Sequence, residues 1–240
     1  MKKQIPNLIT LCNLLSGTVA TAFAVQHRLD LASLWILVGV VFDFFDGMVA
    51  RLLRVASPLG KELDSLADVV TSGVAPGFIF YSILIQGGCG VYSYVALMIP
   101  AFAAYRLAKF NIDTRQSHSF RGLPVPANAL IWVALGICYS NTGLVRISVL
   151  PTYGFAEFVF GGTGLFLLLI VALIVCLLMI SDVPMFGLKF KNLHWKENRT
   201  RFLFVLTDIV LLVLLGIMAL PIIVLWYILL SLCTQKNSIE

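Results

Sequence analysis

The sequence predicts an all-α bundle of about eight transmembrane helices, and three observations support this fold class. Of the 240 residues, 60% are apolar and 12% are charged, and the mean hydropathy is +0.96. A soluble domain is nearer ~45–50% apolar and ~25% charged. The apolar residues also occur in runs long enough to cross a bilayer, which takes about 20 residues each. Lastly, the positive charges lie almost wholly on one side of those runs. The composition therefore excludes a soluble globular protein and a disordered one.

Taken in order along the chain, the apolar runs predict spans at about residues 6–26, 32–53, 59–86, 91–113, 123–141 and 157–180. A last run covers 202–233, which is too long for one comfortable span. Gly216 and Pro221 lie near its middle and predict a turn. We therefore interpret it as a hairpin, which gives eight helices; a single span, giving seven, is the alternative. The chain then divides into a transmembrane core (1–181), a cytoplasmic loop (182–201) and a C-terminal hairpin with its tail (202–240), while the apolar segment 142–156 is expected at the outer interface.

The distribution of Lys and Arg predicts the orientation. With the N-terminus in the cytoplasm, every Lys and Arg except Arg28 and Arg146 falls in a cytoplasmic segment or at a cytoplasmic helix end. Cytoplasmic loops of membrane proteins carry such an excess. We expect a multi-pass protein of the cell (inner) membrane. The net charge of +5 follows from this bias, so it indicates contact with membrane lipids and no nucleic-acid partner.

Four aspartates interrupt two adjacent predicted helices. Asp43 and Asp46 are three residues apart in the second span, and Asp64 and Asp68 are four apart in the third. Each pair therefore lies on one helix face, and a short connection places both pairs at similar depth near the inner surface. A buried charge here costs about 2.5–3.5 kcal/mol, and four converging carboxylates repel one another. A divalent cation removes that conflict, and an all-oxygen site favours Mg²⁺, Mn²⁺ or Ca²⁺ over Zn²⁺. Pairing with nearby Arg or Lys, or an ion pathway in a transporter, are the alternatives.

The residues between the carboxylates complete a recognisable pattern. Small residues would let a bulky ligand approach, and Arg51 could reach a phosphate. The string Asp43-x-x-Asp46-Gly47-x-x-Ala50-Arg51, followed after eight residues by Gly60-x-x-x-Asp64-x-x-x-Asp68, resembles the signature of the CDP-alcohol phosphotransferase family. The resemblance implies an enzyme that uses Mg²⁺ or Mn²⁺, in a two-metal site, to cleave a CDP-linked lipid with release of CMP. It also implies metal ligation by Asp43, Asp46 and Asp64, with Asp68 completing the metal site and acting as the general base.

The first predicted helix adds Asn7, Thr10 and Asn13, which are three apart and share one face. Hydrogen bonding between helices would explain them too. The family resemblance implies that they bind the CDP-lipid together with the small residues and the arginine of the signature. This predicted set is Asn7, Thr10, Asn13, Gly47, Ala50, Arg51 and Gly60. The resemblance further implies a homodimer.

Four segments bear on the acceptor. ELDSLADVVTSGVAPG, YRLAKFN, FRGLPVPANA and SDVPMFGLKFK are similar to those of the bacterial membrane-embedded phosphatidylserine synthases. This resemblance implies transfer of a phosphatidyl group from CDP-diacylglycerol to the hydroxyl of L-serine. The serine carboxylate would need a cationic partner, for which Arg106 and Arg121 are candidates, with Lys109 as a weaker one and Asn111 as a hydrogen-bond partner. Glycerol 3-phosphate is the alternative acceptor, because its phosphate would also bind arginines.

Overall fold

The computed structural model describes residues 4–55, 57–113, 120–140, 158–185 and 195–236, and it confirms the predicted all-α class. Six stretches of it are long and apolar enough to cross a membrane: Gln4–Val25, Leu29–Leu52, Pro58–Gln86, Gly90–Ile112, Gly162–Ile180 and Arg201–Cys233. In the described part of the chain the helices run α1 Gln4–Val25, α2 Leu29–Leu52, α3 Pro58–Gln86, α4 Gly90–Ile112, α5 Val125–Tyr139, α6 Gly162–Ile180, α7 Trp195–Leu215 and α8 Ala219–Lys236. The chain is a multi-pass membrane protein.

Helix α3 changes its winding just after the fourth aspartate. It begins at Pro58, where the Ser57 side chain caps it by accepting a hydrogen bond from the Gly60 amide at 3.0 Å. Residues Val69–Val74 form a π-helical turn, after which the α-helix resumes at Ala75. Thr71 lies in that turn, is 1% exposed, and donates its hydroxyl to the carbonyl oxygen of Asn13 at 3.0 Å. The turn is thereby fixed against α1, one helical turn beyond Asp68.

Helix α1 is the central element beside the carboxylates. It packs against α2 and along α3, because its small and polar residues recur every three to four positions on the buried face: Pro6, Thr10, Asn13, Gly17, Ala20 and Ala24. Helix α2 contacts α3 chiefly beyond Asp68, at the π-helical turn and the α-helix after it. The adjacency of α2 and α3 expected from their short connection therefore holds only in part. Before Asp68 the two helices diverge, and a cleft opens with α1 as its third wall.

The C-terminal run folds as a hairpin, as predicted. Helices α7 and α8 are antiparallel around a 3₁₀ turn, Gly216–Met218, in which Gly216 has a φ of +58°. The rings of Phe204 and Tyr227 are 5.8 Å apart, and the Trp226 indole donates to the Thr207 hydroxyl at 3.0 Å. Helix α7 already begins at Trp195, so it includes the last residues of the predicted loop 182–201.

A two-residue antiparallel pairing joins two of the predicted cytoplasmic segments. Strand β1 (Phe120–Arg121) pairs with β2 (Pro184–Met185), which is too short to change the all-α class. Between β1 and α5, Gly122 has a φ of +72°, and a Cβ there would lie 2.5 Å from the Met179 carbonyl oxygen. The segment 142–156, expected at the outer interface, lies outside the described residues, and so do residues 186–194 of the predicted loop.

Candidate active site

Three of the four predicted aspartates converge at one point. Asp43 comes from α2, and Asp64 and Asp68 come from one face of α3. Each contributes one carboxylate oxygen to a group of three in which all oxygens lie within 4.8 Å of one another. In the described residues none of them forms a salt bridge with Lys or Arg; the ion pairs found there join Arg28 to Asp30 and Lys109 to Asp182. The structure therefore does not show the alternative in which these aspartates pair with nearby Arg or Lys.

The donor set of this cluster fits a divalent cation. Oδ1 of Asp64 is buried and has no hydrogen-bond partner in the described part of the chain. A carboxylate oxygen without a partner among like charges is costly. The cluster offers only oxygen atoms, which are the ligands that Mg²⁺, Mn²⁺ and Ca²⁺ prefer.

Asp46 lies beside the cluster rather than in it. It is 5% exposed, and its Oδ2 accepts a hydrogen bond from the Thr10 hydroxyl at 2.6 Å. It lines the same cleft as Asp64. Its role as a metal ligand stays a prediction, and Thr10 holds its carboxylate in place from α1.

The polar face of α1 contacts the carboxylates directly. The Asn13 amide donates to Oδ1 of Asp68 at 3.4 Å, and Asn13 is fully buried. Thr10 and Asn13 therefore form hydrogen bonds between helices, which was the alternative interpretation of this face. Their acceptors are two of the signature aspartates. Asn7, one turn earlier, bonds only weakly to Gln4 at 3.4 Å and lines the cleft.

A cleft of about 310 Å³ opens beside the carboxylates between α1, α2 and the start of α3. All the residues predicted to bind the CDP-lipid line it, except Asn13: Asn7, Thr10, Gly47, Ala50, Arg51 and Gly60. A Cβ added to Gly47 would meet no atom within 4 Å, so this glycine leaves room in the cleft and does not serve helix packing.

Sequence reasoning missed two polar residues of this cleft, Ser57 and Lys61. The Ser57-Pro58 pair is a typical helix start, and Lys61 directly follows the last glycine of the signature. Both could have been found from their position in the motif.

A second, cationic region lies beyond Asp68. Arg106 is 6% exposed and lies within electrostatic range of Asp68, and its guanidinium carbon is 5.1 Å from the centre of the Phe110 ring. Nη2 of Arg106 and Nε of Arg121 are buried and have no hydrogen-bond partner among the residues that the structure describes. The two arginines line one small cavity with Lys109, Ser181 and Asp182.

The other two residues considered for the acceptor have partners of their own. Lys109 donates to Asp182 at 3.0 Å and to the Ile180 carbonyl at 3.1 Å. The side-chain amide of Asn111 donates to the Ser65 hydroxyl at 2.9 Å, and the backbone carbonyl oxygen of Asn111 accepts from Lys61 at 3.1 Å. Asn111 therefore links α4 to α3 and is not among the residues that line the cationic cavity.

The comparison with known families agrees with this geometry. Residues 3–179 match the model of the CDP-alcohol phosphatidyltransferase family. The match covers all four aspartates and the cleft. The chain belongs to this family.

Individual members of the family show which enzymes the chain is similar to. The chain is 38% identical over 136 residues to the CDP-diacylglycerol–serine O-phosphatidyltransferase of Bacillus subtilis (strain 168), which covers 57% of the chain and 77% of that protein. It is 38% identical over 130 residues to the enzyme of the same name from Helicobacter pylori (strain J99), covering 53% of the chain and 55% of that protein. An archaetidylserine synthase of Methanothermobacter thermautotrophicus is 32% identical over 132 residues, 52% of the chain and 54% of that protein. The match thus covers most of the Bacillus subtilis protein and little more than half of the other two.

Proposed function

We propose that this protein transfers a phosphatidyl group from CDP-diacylglycerol to the hydroxyl of L-serine, giving phosphatidylserine and CMP. The observation that carries the proposal is the cluster of Asp43, Asp64 and Asp68 at the edge of a cleft lined by the small residues of the family signature. Relatives named for this reaction, or for the corresponding archaeal one, support serine as the acceptor.

The carboxylates would hold Mg²⁺ or Mn²⁺, in a two-metal site to which Asp46 also contributes. Bound divalent ions would neutralise charge on the diphosphate and lower the pKa of the acceptor hydroxyl. The cleft residues would bind the cytidine and its phosphates. Arg51 is exposed at the cleft, where its guanidinium can pair with a phosphate.

The group transfer would proceed at the phosphorus of the phosphatidyl group. The serine Oγ forms a bond to that phosphorus, the bond from the phosphorus to the bridging oxygen breaks, and CMP leaves with the electron pair. Asp68 accepts the hydroxyl proton. The Asn13 amide, bonded to Oδ1 of Asp68, orients this carboxylate.

Arg106 and Arg121 would bind the serine carboxylate, because each has a buried nitrogen that lacks a hydrogen-bond partner. A carboxylate in the cavity between them satisfies such donors with charge-assisted bonds. Asn111 would act on serine only indirectly, through its link between α3 and α4. A phosphate would fit the same donors, so glycerol 3-phosphate remains the acceptor to test against serine.

We further propose that the protein lies in the cell (inner) membrane as a homodimer, with its active site facing the cytoplasm. The carboxylate cluster lies at the same end of the bundle as Arg54 of the α2–α3 connection and the flanking residues Arg51 and Lys61. Arg28 lies at the opposite end. The positive-inside bias therefore supports a cytoplasmic site. The dimer rests on the family resemblance.

The test is CMP release by the purified protein with CDP-diacylglycerol, Mn²⁺ or Mg²⁺, and either L-serine or glycerol 3-phosphate. We expect metal-dependent release with serine, and its abolition in Asp68→Asn without loss of folding. Asp30→Asn is the matched control, because Asp30 pairs with Arg28 far from the cluster and should retain activity. Release with glycerol 3-phosphate but not serine would overturn the acceptor. Near-normal turnover of Asp68→Asn would remove Asp68 from the mechanism.

A further inference from the structure

A lysine near the start of α3 lines the cleft of the candidate active site without being part of the family signature. Lys61 is exposed and lies on the cleft wall together with Gly60 and Asp64. Because Lys61 and Asp64 are three residues apart in a helix, they share one face. A positive charge so close to the N-terminus of a helix interacts unfavourably with the helix dipole. The stability of α3 therefore does not account for Lys61, and a role in the cleft explains it better.

The Lys61 ammonium is held by the end of α4. It donates to the backbone carbonyl oxygen of Asn111, the second-last residue of that helix, at 3.1 Å. Carbonyl groups at a helix C-terminus lack partners within the helix and attract cations. The Asn111 side chain in turn donates to the Ser65 hydroxyl at 2.9 Å, which fixes this end of α4 against α3. Lys61 is therefore restrained beside the cleft.

The same ammonium keeps donors for a ligand. A lysine has three N–H donors, and in the described part of the chain the bond to Asn111 is the one hydrogen bond that the Lys61 ammonium forms. The ion pairs found among those residues join Arg28 to Asp30 and Lys109 to Asp182, so none of them neutralises Lys61. A restrained ammonium with unused donors is suited to an anionic ligand.

The charge of the donor substrate requires a second cation in the cleft. The diphosphate of CDP-diacylglycerol is esterified at both ends, so each phosphate carries a negative charge. Among the described residues that line the cleft, Arg51 and Lys61 are the cationic ones, and Asp46 and Asp64 on the same walls would repel a diphosphate. Arg51 comes from the end of α2 and Lys61 from the start of α3. The two cations can thus approach a diphosphate from different walls.

We propose that Lys61 is a phosphate-binding residue of the donor site, and that α4 holds its ammonium in place through the Asn111 carbonyl. Together with Arg51, Lys61 matches the charge of a nucleoside diphosphate. The inference rests on the proposed function for the CDP-linked donor and is independent of the acceptor. Lys61 binds the phosphates and not the cytidine, so its loss should weaken the binding of the nucleotide and not that of the nucleoside.

The experiment measures the Kd of CDP and of cytidine for the purified protein in detergent with Mg²⁺, by isothermal titration calorimetry. CDP carries the diphosphate without the lipid, and cytidine carries neither. In Lys61→Met the side chain keeps its apolar stem and a good helix propensity. We expect the Kd of CDP to rise at least about tenfold, the effect of losing a hydrogen bond between charged groups, and the Kd of cytidine to change less than about twofold.

Two further variants serve as controls. Lys61→Arg keeps the charge and should bind CDP nearly as tightly as the wild type. Arg54 is an exposed cation of the α2–α3 connection and is not among the residues that line the cleft. Arg54→Met should therefore retain both Kd values.

An unchanged CDP Kd in Lys61→Met, an equal rise for CDP and cytidine, or an equal rise in Arg54→Met would each overturn the inference. In each of these cases, serine-dependent release of CMP by the wild type would leave the proposed function standing. Wild-type protein that binds neither CDP nor cytidine and releases no CMP would instead show that the proposed function has failed, and the inference with it.

Discussion

Replacing Gly17 by alanine tests how tightly α1 and α3 are packed behind the carboxylates. A Cβ on Gly17 would lie 2.6 Å from Cα and 2.8 Å from the backbone nitrogen of Thr71. Ordinary van der Waals contact begins at 3.4 Å. The helices must therefore separate by roughly 0.8 Å, which is the difference between 3.4 Å and the 2.6 Å distance to the Thr71 Cα. Because the obstacle is backbone, no rotamer change can relieve the contact.

The magnitude follows from two opposing effects. Overpacking costs about 1–3 kcal/mol, and we expect the upper end here because backbone must move. Alanine has a higher helix propensity than glycine, which offsets about 1 kcal/mol of this destabilisation. The net loss is therefore about 2 kcal/mol, which for a chain of this size lowers Tm by about 4–8 °C. Catalytic activity should fall as well, because Thr71 is bonded to Asn13, whose side chain contacts Asp68.

The assay is unfolding of the purified variant in detergent, followed by tryptophan fluorescence, with Gly47→Ala as the matched control. A Cβ at Gly47 meets open space, so this variant should be more stable than the wild type by about 1 kcal/mol, the gain in helix propensity. Its methyl group would instead narrow the cleft and raise the KM for CDP-diacylglycerol. A Gly17→Ala protein that unfolds like the wild type, or a Gly47→Ala protein that is equally destabilised, would refute this reasoning.

Three further predictions concern the site and its orientation. Thr10→Val should lower kcat/KM about tenfold or more by removing the donor to Asp46, whereas Thr10→Ser should retain most activity; similar rates for the two variants would contradict this. At a hundred times its Kd, Mn²⁺ should stabilise the wild type by about 2.7 kcal/mol and so raise its Tm. The Tm of Asp64→Asn should rise much less; equal Tm shifts would argue against metal ligation by that residue. In a cysteine-free background, a cysteine at Gln26 should react with an impermeant maleimide on intact cells and one at Arg54 should not; the reverse pattern would invert the proposed topology.

Much of the fold could be predicted because its signals are local. Hydrophobic length marks the spans, and the hairpin turn follows from Gly216 within an overlong apolar run. The convergence of Asp43 with Asp64 and Asp68 followed from helical spacing and a short connection. The position of Asp46 beside the cluster could not be predicted in this way. It depends on the rotation of α2 against α1, which brings Asp46 to the Thr10 hydroxyl.

Other features depended on contacts between distant segments. Asn111 was expected near the acceptor with Arg106, but the crossing of α4 over α3 directs its amide to Ser65. Arg121 lies near the end of α6 because β1 pairs with β2, and Arg106 lies there because α4 packs against α6. No periodicity within either segment encodes that pairing.

By itself, the sequence determined that this chain is a membrane bundle, which helices carry its carboxylates, and the family to which the signature points. These properties depend on the order of residues over one or two helices, because the bilayer and the helical repeat translate sequence spacing into position. The tertiary structure alone decided that α1 forms the third wall of the cleft, that Thr71 fits against Gly17, and that α8 of the hairpin packs against α5 and β2. Such contacts depend on how close helices come and how they rotate about their axes, which the packing of the whole bundle sets.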